Sequence, residues 1–217
     1  TMPVKLTYVN ARGAIEVVRY MFAIADAEYE DFRFPLDLSQ GFPPIRKEFD
    51  AAKAAGDLDA NLGRIPLITF DGVEAGQSKA IARFVARKHG FMGDGEVDAL
   101  LVDATVDHCA DIVAAYQKPR GLPDGDEKTA AMTKWFEGEL PDWFGKVEKA
   151  LAKQSKAEGF AVGSKLTWAD LQLYILVEEF FDNKEGAKKA CAGCPKLSAI
   201  VGNVKGNEKL KAWQAKR

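Results

Sequence analysis

One short segment of the chain, residues 64–84, combines two features that bind peptides and carboxylates. Pro66 heads an apolar run that is typical of a strand, and proline, which donates no hydrogen bond, belongs at the start or edge of a sheet. Asp71-Gly72 is a hairpin signal, and Gln77-Ser78 opens an amphipathic helix. A strand edge offers main-chain groups to an extended peptide, and the N–H groups of a helix N-terminus attract a carboxylate. We therefore expect this segment to bind a small anionic peptide.

The elements around this segment alternate between strand and helix periodicity up to about residue 90. They are predicted, in chain order, as a strand over 4–9, a helix over 14–26, a strand over 28–33, a helix near 44–55, strands over 67–70 and 73–75, and a helix from Ser78. This order of elements predicts a mixed sheet flanked by helices, in a thioredoxin-like layer arrangement.

A glycine-containing linker over residues 90–95 precedes a region without strand patterns. Residues 171–177 are apolar nearly all round, which predicts a buried central helix, and Thr167 and Asp170 have the spacing of a capping box for it. Helices are predicted near 97–118, 126–154, 167–183, 195–203 and 207–215. We expect two domains, an α/β domain over 1–90 and an all-α domain over 91–217.

Composition narrows the functional classes. The 217 residues carry 30 basic and 32 acidic side chains, a net charge of −2 that favours neither nucleic acid nor an anionic membrane. No apolar run reaches the roughly 20 residues of a membrane helix, and no secretory signal is visible at the N-terminus. Three cysteines without a disulfide framework fit a reducing cytoplasm. Cys191 and Cys194 have the spacing of a metal or redox pair, but no second pair completes a site, so no metal is expected.

Three separated motifs, in a shared order, resemble those of cytosolic glutathione transferases. KLTYVNARG, residues 5–13, resembles the first strand and turn of the sigma-like, tyrosine-dependent members. Residues 64–84 resemble the glutathione-binding half, and GFAVGSKLTWAD, residues 159–170, resembles the loop and cap before a buried helix. The resemblance implies a glutathione-binding domain over 1–90, a homodimer, and conjugation of glutathione to small hydrophobic electrophiles, a detoxification chemistry.

Tyr8 is the candidate catalytic residue. A free thiol with a pKa of about 8.5 is mostly protonated at neutral pH, and only the thiolate attacks an electrophile. A phenol O–H aimed at the sulfur donates to the charged form and lowers the pKa of the thiol. The alternative is a strand tyrosine that packs its ring and exposes its hydroxyl.

The resemblance also implies where glutathione is held. Ile65 would offer its main chain to the cysteinyl unit, next to a cis bond at Pro66. Gln77 and Ser78 would hold the γ-glutamyl carboxylate at the helix N-terminus, although Ser78 is equally well explained as a plain helix cap.

The glycyl carboxylate needs a second anchor, where the family commonly has a tryptophan and, four residues later, a lysine. The best match here is Phe42 and Arg46, and both depart from that pattern. Phe42 has no indole N–H, whereas Arg46 can still pair with a carboxylate. Lys47 is a rival, Arg64 could reach the same end of the peptide, and a solvated charge is the alternative for Arg46.

Two further departures and three candidate residues complete the prediction. Ala14 stands where sigma-like relatives often carry an arginine, and residues 50–62 resemble an insertion. The resemblance assigns Asp111 to the α-amino group of glutathione across a dimer interface, with a surface charge as the alternative. It assigns Val113 and Tyr116 to the pocket of the second substrate.

Two rival functions stay open. One is a glutathione-dependent isomerase similar to prostaglandin D synthase, which the same subfamily contains. The other is a non-catalytic carrier of ligands.

Overall fold

The structure, a computed structural model, describes residues 4–216. These residues form two compact units, one ending at His89 and the other beginning at Gly90.

The first unit is a four-stranded sheet with three α-helices. Its elements are β1 (Lys5–Val9), α1 (Glu16–Ile24), β2 (Glu30–Phe34), α2 (Lys47–Ala55), β3 (Leu67–Phe70), β4 (Val73–Gly76) and α3 (Ser78–Lys88). Single 3₁₀ turns precede α1 at Gly13–Ile15 and β3 at Asp59–Asn61. The predicted mixed α/β sheet is confirmed.

The sheet has the strand order β2-β1-β3-β4. β1 runs parallel to β2, with Tyr8 opposite Arg33, and antiparallel to β3. The hairpin between β3 and β4 turns at Asp71 and Gly72, which both have positive φ, as the favoured two-residue hairpin turn requires.

Alternation along the strands divides the core of this unit. Phe34, Leu67, Phe49 and Leu58 form one buried cluster, which places α2 over one face of the sheet. Ile68, the neighbour of Leu67, points to the opposite face. α1 and α3 pack against each other, and α3 contacts β3 and β4.

The second unit is built from helices. They are α4 (Gly95–Arg120), α5 (Asp126–Lys134), α6 (Leu140–Gln154), α7 (Trp168–Tyr174), α8 (Lys184–Cys191), α9 (Pro195–Lys205) and α10 (Glu208–Gln214). Wider π-helical turns join α5 to α6 at Trp135–Glu139 and extend α7 over Ile175–Phe180.

The centre of the second unit is α7, as its apolar sequence predicts. Its residues Trp168, Leu171 and Leu173 are buried, and it packs against α4 and α9. The predicted capping box is present, because Thr167 N and Oγ1 donate to Asp170 Oδ2 at 2.7 and 2.6 Å.

One helix is missing from the sequence-based prediction. α8 lies between the predicted helices 167–183 and 195–203, where no helix is predicted. The side chain of Asn183 caps it by accepting from Gly186 N at 2.8 Å, and the small residues Ala187 and Ala190 bury one face.

Candidate functional site

The hydroxyl of Tyr8 lies directly against the turn that follows β1. An ideal Cβ placed on Gly13 would stand 2.6 Å from Tyr8 Oη, and Gly13 has a φ of +61°. Both the space and the left-handed backbone therefore require glycine here. Tyr8 is half-buried, and its hydroxyl lies against this turn near the end of the strand.

Arg19 supports this turn from beneath. Its side chain on α1 is fully buried, and its Nη1 donates to Ala11 O at 2.9 Å. Its Nε donates to Asp31 Oδ2 at 3.1 Å, and its Nη1 to Glu16 Oε2 at 3.3 Å. The guanidinium carbon is 5.9 Å from the centre of the Tyr8 ring. Sequence reasoning missed this residue, because a single arginine in an amphipathic helix is usually placed on its solvent face.

The main chain at Ile65 lies just outside the sheet. Pairing of β3 with β1 and β4 begins at Leu67, and the Ile65–Pro66 peptide bond is cis. Asn61 is buried, and its Nδ2 donates to Pro66 O at 3.0 Å. Asn61 belongs to residues 50–62, the segment that resembles an insertion, and its hydrogen bond holds the main chain just before β3. No sequence motif indicated this residue.

The start of α3 differs in detail from the predicted cap. Gln77 is the N-cap residue, with a φ of +70°, and its side chain makes no cap hydrogen bond. Ser78 is instead the first residue of the helix and is half-buried. The side chain of Gln77 therefore leaves the first-turn N–H groups of α3 uncapped. A carboxylate that binds there needs those N–H groups as donors.

The candidates for the second carboxylate anchor lie around the start of α2. Arg46, the N-cap residue of α2, has Nη2 3.7 Å from Asp50 Oδ1, and its guanidinium lies over the Phe49 ring at 4.8 Å. Phe42 is 91% exposed and so packs little of its ring against the first unit. Arg64 donates from Nε to Asn61 O at 3.4 Å and is exposed. The rival Lys47 is the first residue of α2 and is also exposed.

The candidates in the second unit separate into surface and core. Asp111 is exposed on α4, and Val113 is half-buried. Tyr116, in contrast, has no exposed surface. Its ring contacts four aromatic residues, Trp135, Phe136, Phe180 and Phe181. Packing in an aromatic core thus uses the ring of Tyr116, and its assignment to the pocket of the second substrate stays a prediction.

The hydroxyl of Tyr116 also has its partner within the second unit. Its hydroxyl is 3.5 Å from Asp182 Oδ2, and burial, followed by the charge of Asp182, raises the pKa of Tyr116. It is thus a protonated core residue near neutral pH.

The described residues contain neither a helix that could cross a membrane nor a cluster of metal ligands. Across residues 4–216, every helix is too short or too polar to cross a bilayer. Among the same residues, no group of three His, Cys, Asp or Glu side chains is arranged to hold a metal ion. Cys191 and Cys194 are buried free thiols.

Comparison with known proteins gives a consistent result. The family described as "Glutathione S-transferase, C-terminal domain" matches residues 111–217. Glutathione S-transferase 3 of Caenorhabditis elegans is 30% identical over 220 residues, which cover 98% of this chain and 96% of that protein. Hematopoietic prostaglandin D synthase of Gallus gallus is 29% identical over 213 residues, which cover 98% and 96%. The crystal structure of monomeric Na-GST-3, a glutathione S-transferase of the hookworm Necator americanus, superposes with a TM-score of 0.78 at 30% identity, covering 100% of this chain and 98% of that one.

The fold and these likenesses define the class: the chain belongs to the glutathione S-transferase family. The family predicted from the three motifs is confirmed, and the chain is an enzyme of that family.

Proposed function

We propose that this transferase binds glutathione on its first unit and, through Tyr8, activates the glutathione thiol for attack on hydrophobic electrophiles. The observation that carries the proposal is the position of the Tyr8 hydroxyl, 2.6 Å from where a Cβ on Gly13 would be. This hydroxyl lies near the end of β1. The same unit contains the main chain of Ile65, just before β3, and the start of α3.

The proposed binding mode uses these three features in turn. The main chain of Ile65, beside Pro66, pairs with the cysteinyl unit as an added strand would. The γ-glutamyl carboxylate lies at Gln77 and Ser78, where the N–H groups and dipole of α3 favour negative charge.

The glycyl carboxylate is the third anchor point. It pairs with Arg46 or Arg64, and Phe42 contributes at most an apolar contact. The partial exposure of both arginines makes this the weakest of the three anchors, since solvent screens exposed ion pairs.

The reaction itself is a nucleophilic displacement or addition. Tyr8 Oη–H donates to the thiolate and remains protonated, while the thiol proton leaves to solvent. The sulfur lone pair then forms a bond to the electrophilic carbon. In a displacement the leaving group departs with its bonding electrons, and in an addition the π electron pair of the acceptor moves to its far atom, which takes a proton from solvent. Lowering the thiol pKa by about one to two corresponds to about 1.4–2.7 kcal/mol of preferential thiolate stabilisation.

Several finer assignments belong to the same proposal. We place the protein in the sigma-like class and in the cytoplasm, where its free cysteines are compatible with a reducing environment. We propose a homodimer in which Asp111 of the second subunit receives the α-amino group. Val97 and Leu100 on α4 are 69% and 67% exposed, and the proposed interface would cover them. The proposed pocket residues are the half-buried Val113 and the buried Tyr116.

A second candidate activity is glutathione-dependent isomerisation. The specific support for it is the likeness to hematopoietic prostaglandin D synthase of Gallus gallus. A prostaglandin endoperoxide assayed beside a conjugation substrate distinguishes the two activities, because an isomerase returns free glutathione and a conjugating enzyme consumes it.

The direct test compares the wild type with Tyr8→Phe on a chloronitrobenzene-type electrophile. We expect kcat/KM to fall by about 10- to 100-fold, as the loss of one to two in thiol pKa implies. Tyr29→Phe is the matched control: its half-buried ring stacks on Phe22 in the same unit, and burial raises the pKa of Tyr29 to about 12.

Equal rates in wild type and Tyr8→Phe would remove Tyr8 from the mechanism. No activity in either, together with a thermal shift on adding glutathione, would indicate a carrier, since a ligand of the folded state raises stability.

A further inference from the structure

The resemblance to sigma-like relatives implies an arginine at position 14, and this chain has an alanine there. Ala14 is an exposed residue of the 3₁₀ turn Gly13–Ile15 and has no polar side-chain atom. If Tyr8 is held in a fixed direction, other residues have to hold it.

Arg19 is the buried cation nearest to Tyr8 among the described contacts. All three guanidinium nitrogens donate: Nε and Nη2 to the Asp31 carboxylate, and Nη1 to Ala11 O and Glu16. Nη1 also has a longer contact of 3.5 Å to Arg12 O. The side chain therefore connects α1, β2 and the turn after β1 in one buried network.

This network has a cost that its geometry offsets. Removing a guanidinium from water is expensive unless its donors are satisfied and its charge is paired. Arg19 is 0% exposed, and it is paired with Glu16, which is 2% exposed, and with Asp31. The planar fork reaches two carboxylates and a carbonyl at once, which the single ammonium of lysine does not reproduce.

Two contacts direct this network to the Tyr8 hydroxyl. The carbonyl of Ala11 is fixed by Arg19 two residues before Gly13, and Gly13 is the residue against which Tyr8 Oη rests. The guanidinium also lies 5.9 Å from the centre of the Tyr8 ring, within the range of a cation–π contact. The side chain of Arg19 thus contacts both the turn against which the Tyr8 hydroxyl rests and the ring of Tyr8.

We propose that Arg19 is a positioning residue for Tyr8, which aims the Tyr8 hydroxyl at the thiol of the bound substrate and takes over the supporting role that Ala14 lacks. This inference rests on the proposed function, because it requires that Tyr8 lowers the pKa of the glutathione thiol. Arg19 itself, fully buried, does not touch the substrate.

The test measures the pKa of the enzyme-bound glutathione thiol from the pH dependence of thiolate absorbance, in the full chain. Arg19→Lys keeps the charge and loses the fork, and Arg19→Met loses both. We expect each to raise that pKa by about one, which is a tenfold smaller thiolate-to-thiol ratio, with the Kd for glutathione changed by less than about threefold. Arg19→Lys also guards against a variant that fails to fold, because Arg19→Met leaves two carboxylates without their shared partner.

The matched control is Arg33→Met. Arg33 also donates to Asp31, at 2.9 Å from its Nε, and it lies opposite Tyr8 in the sheet. Arg33→Met takes one cationic donor away from the same acidic partner, Asp31, but the hydrogen bonds that Arg33 makes go to Asp31 and not to the turn. We expect the thiol pKa to stay within about 0.3 of wild type.

A double substitution separates this inference from the proposed function. In the Tyr8→Phe background, Arg19→Lys should change the thiol pKa no further, because a residue that acts through Tyr8 has nothing left to position. If the bound thiol had the wild-type pKa in Arg19→Lys but a raised pKa in Tyr8→Phe, the role of Arg19 would be overturned and that of Tyr8 would stand. An unchanged thiol pKa in Tyr8→Phe would overturn the proposed function instead, and additive shifts in the double variant would show that Arg19 acts independently of Tyr8.

Discussion

The close approach of Gly13 to the Tyr8 hydroxyl makes Gly13→Ala a sharp perturbation. The new Cβ would stand 2.6 Å from Tyr8 Oη, and ordinary contact begins at 3.4 Å, so the hydroxyl or the turn has to move by nearly an ångström. The φ of +61° adds a backbone cost of about 1–2 kcal/mol for a residue with a side chain.

These two costs have different consequences for stability and for rate. The backbone cost should lower the free energy of unfolding by about 1–2 kcal/mol in denaturant titrations. The displacement should lower kcat/KM by about 10- to 100-fold, since reaction rates fall steeply when a catalytic group moves by about 1 Å.

Gly90→Ala is the control for the backbone cost. Gly90 has a φ of +79°, and an added Cβ would meet nothing within 4 Å. It should lose similar stability and keep its activity. If Gly13→Ala retained the kcat/KM of Gly90→Ala, the Tyr8 hydroxyl would not need the position that the structure gives it, and the reasoning would be wrong.

Three further predictions test the supports of the site and the core. Asn61→Ala removes the bond to Pro66 O, and should cost about 1–2 kcal/mol and raise the KM for glutathione, whereas Asn203→Ala, which removes an exposed amide bond to Gly159 O, should leave the KM unchanged. Asp98 accepts hydrogen bonds from Asp94 N and from Lys156, which, in that order, lower its pKa below the ordinary value of 3.8. The ionised carboxylate therefore stabilises the fold fully above pH 3.8, and this stabilisation is lost as the pH falls further. Asp98→Asn should unfold more easily than wild type at pH 7, and the difference should shrink in acid. The three cysteines are buried and burial raises the pKa of Cys194 to about 11, so a disulfide reagent should react slowly with the native protein and rapidly in denaturant; fast native reaction would show that α8 and α9 open locally.

Local signals predicted the elements that depend on local chemistry. Asp71-Gly72 indicated the β3–β4 hairpin, and both residues adopt the positive φ that this turn needs. The capping box of α7 is likewise set by residues three apart in the chain. In both cases the interaction that defines the structure lies within a few residues, so the sequence contains the whole cause.

Tertiary contacts explain what the sequence did not reveal. α8 is short, contains a glycine and three lysines and has only small residues on its apolar face, so it gave no helix signal, yet packing buries its alanines. Arg19 occupies an ordinary helical position, and only the approach of Asp31 and of the Ala11 carbonyl makes its burial possible. Tyr116 has the position of a pocket residue, but aromatic rings from two other segments, 135–136 and 180–181, enclose it.

The roles of the predicted binding residues remain proposals. Tyr8, Ile65, Gln77 and Ser78 lie in one unit, near the end of β1, just before β3 and at the start of α3. Sequence alone could indicate these ends but not how they are supported, because Asn61 and Arg19 support them through contacts between separate elements.

The most direct measurement is a crystal structure of this transferase with glutathione bound. We predict that Tyr8 Oη lies within about 3.5 Å of the glutathione sulfur, as a hydrogen bond to the thiolate requires. A separation of more than about 4 Å, with the tripeptide otherwise ordered along Ile65, would contradict the assignment of Tyr8 to the chemistry.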